Sequence, residues 1–181
     1  MIAGVAAFLD AQFLTPTVTL SAALRPAAIT NGATAVTSTG TTNAQVNADL
    51  GALLAAITTP GDGLTWIMRR TTLATIAQAL GSQAPNLPAS LFGIPVPVSA
   101  NSPQQVTLVD ASQILYSTGE IELSISEQAA IQMDSAPTDP TVAATVMVSL
   151  YQLNLWGVRA IKWLAYLRAQ SGSVAYMTTA Y

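Results

Sequence analysis

The sequence contains no histidine and no cysteine, and Lys162 is its only lysine. Those absences exclude a Ser-His-Asp or Cys-His nucleophilic site, the usual zinc sites, disulfides and iron–sulfur ligation. Charge of either sign is scarce. Charged residues make up 8% of the 181 positions, where soluble domains usually carry about 25%. The net charge of −3 argues against a nucleic-acid-reading face, and no run of like charges marks a tail. A long apolar run is also missing. The uncharged stretch Thr141–Val158 holds Gln152 and Asn154 and is barely long enough to span a bilayer, so no membrane span is expected. Met1–Leu9 has no positive n-region and Asp10 follows at once, which reads poorly as a signal peptide.

Apolar residues are plentiful instead, at 51%. The chain is long enough for one domain, or one domain carrying an inserted lobe, with a sizeable core. With so few charges to spread over it, the surface suits a protein whose faces are covered by partners.

Ile2, Val5, Leu9 and Phe13 recur at near-helical spacing until Pro16 stops them. Residues 15–42 are rich in Thr, Ala, Ser and Asn, with turn signals at Arg25-Pro26 and Asn31-Gly32. Leu20, Leu24, Ile29 and Val36 are expected to anchor this segment in short extended pieces. A helix is predicted over 43–58, capped by Asn43, with Val46, Leu50, Leu53, Leu54 and Ile57 on one stripe. Thr65–Met68 reads as a short buried strand. A second helix over 71–80 is expected, capped by Thr71 or Thr72, with Leu73, Ile76, Ala77 and Leu80 inward and Gly81 as its stop. Residues 82–90 form a loop. Leu91–Ser99 reads as a strand with one open edge, because Pro95 and Pro97 remove donors from the same side.

Val106–Val109 and Gln113–Tyr116 are further short strands. In 120–127, Ile121, Leu123 and Ile125 alternate with Glu120, Glu122, Ser124 and Ser126, which predicts a half-buried strand. Residues 134–140 read as loop, 141–154 fit helix or strand, and Val174–Thr178 is a last strand after the Gly172 turn. The mixture lacks regular strand–helix alternation, so the class is α+β.

Few residues offer chemistry. Glu120 and Glu122 share a strand face and read as solvated carboxylates, with no base or second metal ligand nearby in sequence. Asp134 and Asp139 lack the ligand density of a calcium loop. Lys162, between Ile161 and Trp163, has no serine motif to make it a dyad and reads as a snorkelling side chain. Arg69-Arg70 at a helix start could hold an anion, but reads better as an interface or salt-bridge pair. Gly61-Asp62-Gly63 is not a phosphate-binding motif. No catalytic, cofactor or metal residue is assigned.

Five stretches, in order, resemble the HK97-fold major capsid proteins of tailed phages. Residues 7–13, AFLDAQF, resemble the end of the family's long spine helix, and 25–32, RPAAITNG, the turn that follows it. Residues 66–74, WIMRRTTLA, resemble a strand-to-helix junction, and 92–99, FGIPVPVS, a proline–valine strand. Residues 153–159, LNLWGVR, resemble the segment leading into the last long strand. The resemblance implies an axial lobe, a sheet flanked by helices, mainly from residues 20–140. A peripheral lobe would come from the spine-helix end at 1–19 and mainly from 141–181. It also implies strand for 155–169.

The expected role is that of a structural, non-enzymatic subunit, or part of one, of an icosahedral phage or prophage shell around double-stranded DNA. The subunit would act in the virion, after assembly in the host cytoplasm. Its partners would be copies of itself, with DNA held only non-specifically, no membrane and no cofactor. Candidate interface residues are Arg69, Arg70, Glu120, Glu122, Arg159, Lys162 and Arg168. An encapsulin-like shell around protein cargo is the alternative, and an unrelated α+β ligand-binding domain a more distant one. Nothing matches the family's N-terminal arm, its extended loop or the start of the spine helix. The chain is therefore expected to correspond to the C-terminal portion, to carry no crosslinking lysine, and by itself to form a monomer or small ring rather than closed shells.

Overall fold

A computed structural model describes residues 2–21, 25–81, 88–134 and 138–179. Three helices, α1 (Ile2–Leu14), α2 (Asn43–Ala56) and α3 (Arg70–Ala79), mix with ten strands among the described residues. The strands are β1 (Thr34–Thr37), β2 (Leu64–Ile67), β3 (Ser90–Leu91), β4 (Ile94–Pro95), β5 (Gln105–Asp110), β6 (Ile114–Ser126), β7 (Ala130–Ile131), β8 (Val148–Ser149), β9 (Gly157–Arg168) and β10 (Val174–Thr178). The α+β expectation holds. The chain divides into two compact units, residues 1–117 with 165–181, and residues 118–164.

The first unit is built on a four-stranded sheet in the order β1-β10-β5-β2. β1 runs parallel to β10, with Ala35 opposite Tyr176, while β5 is antiparallel to both β10 and β2, with Leu108 opposite Trp66. Every residue of β5 is buried, as a central strand covered on both faces requires. On one face Val106, Leu108, Ala175 and Met177 join Trp66, Val46, Leu50 and Leu53 of α2, and Leu73 and Ile76 of α3. The Trp66 indole N–H, taken out of water, donates to the Leu91 carbonyl at 3.2 Å.

The caps differ from expectation. Thr42, not Asn43, caps α2: its hydroxyl accepts from the Gln45 amide at 3.4 Å, and the Gln45 side chain accepts from the Thr42 amide at 3.2 Å. Asn43 is the first helical residue. The helix that the sequence places from Thr71 starts at Arg70, with Arg69 as N-cap and no side-chain capping bond. α2 also turns a carboxylate inward. Buried Asp49 accepts from the Thr39 amide, the Thr39 hydroxyl and the Ser38 hydroxyl, and so fixes the loop between β1 and α2.

α1 ends at Leu14 ahead of Pro16, and donors from elsewhere in the chain satisfy its last carbonyls. Tyr166 Oη donates to Gln12 O at 3.0 Å and the Ile29 amide to Phe13 O at 3.0 Å. Thr30 Oγ1 and Gln105 Nε2 both donate to Leu14 O at 2.8 Å. The Phe13 ring meets Tyr166 edge-on, centroids 4.9 Å apart. Ile29 is a buried anchor, as expected, but Leu20 is 70% exposed, and Leu24 lies outside the described residues.

Leu91–Ser99 is not one strand. Phe92 and Gly93 form the two-residue turn of a short hairpin that pairs Leu91 with Ile94, and Val98 then bridges Met68 in parallel. The break is the turn itself, and Pro95 lies within β4 opposite Ser90. The loop predicted at 82–90 falls largely on residues outside the description. Gln113–Tyr116 proves to be mostly the start of the 13-residue strand β6.

Within the second unit, β7 pairs with β8 over two residues, and Leu150 is the single buried residue among those described. Residues 141–154 are mostly turns around Val148–Ser149, with neither a helix nor a long strand. No helix of the described residues is long and apolar enough to cross a membrane.

Candidate subunit interface

β6 and β9 pair with each other and with no other strand among the described residues. The Ala169 amide donates to Gln113 O at 2.8 Å at one end. Farther along, a Cβ on Gly119 would lie 3.4 Å from the Trp163 Cβ, and one on Gly157 would lie 3.5 Å from Ser126 O. The strands therefore run antiparallel, and Gly119 and Trp163 point to the same side. By alternation, that side of the second unit also presents Ile121, Leu123, Ile125, Arg159 and Ile161. The opposite side presents Glu120, Glu122 and Lys162.

The strand at 120–127 alternates as predicted, but it is not half-buried. Ile121 is 60%, Leu123 69%, Ile125 64% and Trp163 66% exposed. The reason is topological: no helix or second sheet of the described chain covers a two-stranded ribbon on this side. Such a ribbon with a bare apolar face is marginal in water.

The predicted interface residues fall into two groups. Arg70, Glu120, Glu122, Arg159 and Lys162 are exposed, and their side chains make no hydrogen bond or ion pair among the described residues. Glu120, Glu122 and Lys162 occupy one side of the ribbon and Arg159 the other. Arg69 and Arg168 are partly buried and already engaged. Arg69 donates through Nε to Ser102 O, and Arg168 through Nη2 to Asn31 O at 2.6 Å and through Nη1 to Ser171 O at 3.4 Å. Partial burial pulls the Arg168 guanidinium below its usual pKa.

The structure does not bring these seven residues together at a catalytic centre. Among the described residues no group of three His, Cys, Asp or Glu side chains could hold a metal ion. Sequence reading missed that the apolar side chains Ile121, Leu123, Ile125 and Trp163 stand exposed. Their signal was the combination of 51% hydrophobic residues with so little charge.

No family model matches the sequence. A curated relative, the capsid polyprotein of Pseudomonas phage PAJU2, is 40% identical over an alignment that covers 94% of this chain and 28% of the relative. Among solved structures, one from Gordonia phage Cozz aligns with the whole chain and 61% of its own, at a TM-score of 0.64 and 14% identity. The capsid of an empty GTA particle aligns with 99% of this chain and 64% of its own, at a TM-score of 0.59 and 13% identity. The chain has the HK97 capsid fold, and over 94% of its length it is homologous to a phage capsid polyprotein.

The chain spans just over a quarter of its polyprotein relative and under two thirds of these solved chains.

Proposed function

We propose that the chain is a structural subunit of an icosahedral phage shell that encloses double-stranded DNA, and that it carries out no chemical step. The observation that carries this reading is the second unit. It has one buried residue among those described, while Ile121, Leu123, Ile125 and Trp163 stand open. Burying each such side chain is worth roughly 1.5–3 kcal/mol, a gain left unrealised until other copies cover the ribbon. Many weak contacts of this kind, repeated between identical chains, close a shell.

In this reading Glu120, Glu122, Arg159, Lys162 and Arg70 meet neighbouring copies, whereas Arg69 and Arg168 brace the backbone behind the contacts. The axial lobe is drawn mainly from residues 20–140 and the peripheral lobe mainly from 1–19 and 141–181, with Val174–Thr178 returning to the four-stranded sheet. DNA is held without sequence reading, since the net charge of −3 supplies no general attraction to phosphate. The chain resides in the virion after assembling in the host cytoplasm.

Mass spectrometry of purified particles, with a nuclease-protection assay on their contents, tests the proposal. Particles built of this chain around protected DNA are expected. Particles that hold protein cargo and no DNA would replace the DNA shell by a cargo shell, and absence of the chain from particles would overturn the proposal.

A further inference from the structure

The hold on α1 is uneven along its length. At its C-terminal end the carbonyls of Phe13 and Leu14 accept from the Ile29 amide, Thr30 Oγ1 and Gln105 Nε2, and the Leu14 side chain is buried. Before that end, two hydrogen bonds among the described residues tie the helix to the rest of its unit. Tyr166 Oη donates to Gln12 O at 3.0 Å, and the Ser99 hydroxyl donates to Asp10 Oδ2 at 2.6 Å. Ser99 is a firm base for the second bond, because its amide donates to the carbonyl of fully buried Met68 at 3.1 Å. On the N-terminal side of Asp10 none of the described side chains of α1 is buried, and Phe8 is 62% exposed.

Other observations make the helix easy to release. No residue of α1 belongs to the core cluster on the sheet, so the helix can lift while the core stays shut. Its 13 residues are close to the least that holds a helix in water without packing. Docking also leaves Gln12 Oε1 buried with no hydrogen-bond partner among the described residues. A buried acceptor without a donor is costly, and water satisfies it once the helix lifts.

We propose that residues 2–12 of α1 form a releasable strap, with Phe13 and Leu14 as its fixed anchor and the Asp10–Ser99 hydrogen bond as its catch. When the catch opens, the strap unwinds from its N-terminal side, Gln12 Oε1 meets water, and the four-stranded sheet is unchanged. The strap belongs to a single copy, so it goes beyond the shell reading and does not depend on it.

Amide hydrogen exchange of the purified full chain, read by mass spectrometry, tests the strap. The amides of residues 6–12 report on the strap, and those of β5 and β10 on the sheet. In the native chain residues 6–12 are expected to exchange at least about 100-fold faster than β5 and β10, since local opening is less costly than global unfolding. Ser99→Ala leaves the helix sequence intact and is expected to speed exchange in residues 6–12 by about 10-fold, the effect of losing one hydrogen bond to a charged group. Asp10→Ala is the sharper variant, because alanine is the better helix former. It slows exchange if Asp10 is only a helical residue, and speeds it by about 10-fold if Asp10 is the catch. Gln12→Met keeps size and helix propensity while removing the dry oxygen, and is expected to slow exchange at least about 5-fold. β5 and β10 should exchange alike in every variant.

Equal rates in residues 6–12 and in the sheet of the native chain would overturn the strap. Unchanged or slower exchange of residues 6–12 in Ser99→Ala or Asp10→Ala would remove the catch. Faster exchange of β5 and β10 in either variant would show that the bond holds the whole unit together, which also overturns the strap. Unchanged or faster exchange in Gln12→Met would refute the part given to Gln12 Oε1.

Discussion

The carboxylate of Asp110 closes β5 and is fully buried. It accepts from Ser112 Oγ at 2.6 Å, Thr59 Oγ1 at 2.7 Å, the Gly61 amide at 3.1 Å and the Ser112 amide at 3.2 Å. Burial by itself pushes its pKa up, but these four donors outweigh burial and hold it below the ordinary 3.8. Asp110→Ala removes the acceptor from all four. A hydrogen bond to a charged group contributes about 1.5–3 kcal/mol, and water recovers part of this at the partly exposed donors, so a net loss of about 3–4 kcal/mol is expected.

For a chain of this size, about 2–4 °C of melting temperature follows each kcal/mol, giving a drop of about 10 °C at pH 7 by differential scanning calorimetry. The pH dependence has a definite sign. The folded pKa lies below the unfolded one, so the contribution is complete above about pH 4 and fades as pH falls through the folded value. The gap between native chain and variant should therefore narrow in acid. A variant melting within 2 °C of native at pH 7, or a gap that stays constant down to strongly acid pH, would refute the argument, with about 2 °C corresponding to under 1 kcal/mol.

Thr42→Ala removes the capping box of α2 and should lower stability by about 1 kcal/mol in urea unfolding; an unchanged midpoint would count against the cap. Gly63→Ala places a Cβ 2.7 Å from the Ser112 amide nitrogen and 3.3 Å from Asp110 Oδ1. It should cost about 1–3 kcal/mol in the same assay, because backbone must move to admit it. Leu123→Lys, at a position 69% exposed, should leave the melting temperature of the isolated chain unchanged, within about 0.5 kcal/mol. In particle preparations the same variant should be depleted; normal incorporation would show that no neighbour covers the ribbon face.

Local sequence determined the elements whose signals are local. Pro16 ended α1, the stripe of Val46, Leu50 and Leu53 set the inner face of α2, and the run from Val174 to Thr178 is a strand on the expected residues. Finer points that depend on a neighbour were less legible. Thr42 outcompeted Asn43 as the cap because Gln45 stands three residues on to complete the box, and Asp49 was readable as polar but not as the buried tie of a loop. The tertiary structure decided which apolar faces are covered. Alternation along 120–127 specifies two sides of a strand, yet burial needs a second surface, and the described chain supplies none for Ile121, Leu123 and Ile125. Likewise Arg69 and Arg168 look like their exposed counterparts in sequence, and only the backbone carbonyls folded against them turn them into internal braces. A hydrophobic pattern states what must be kept from water; whether the chain itself or another copy does so is set by long-range packing.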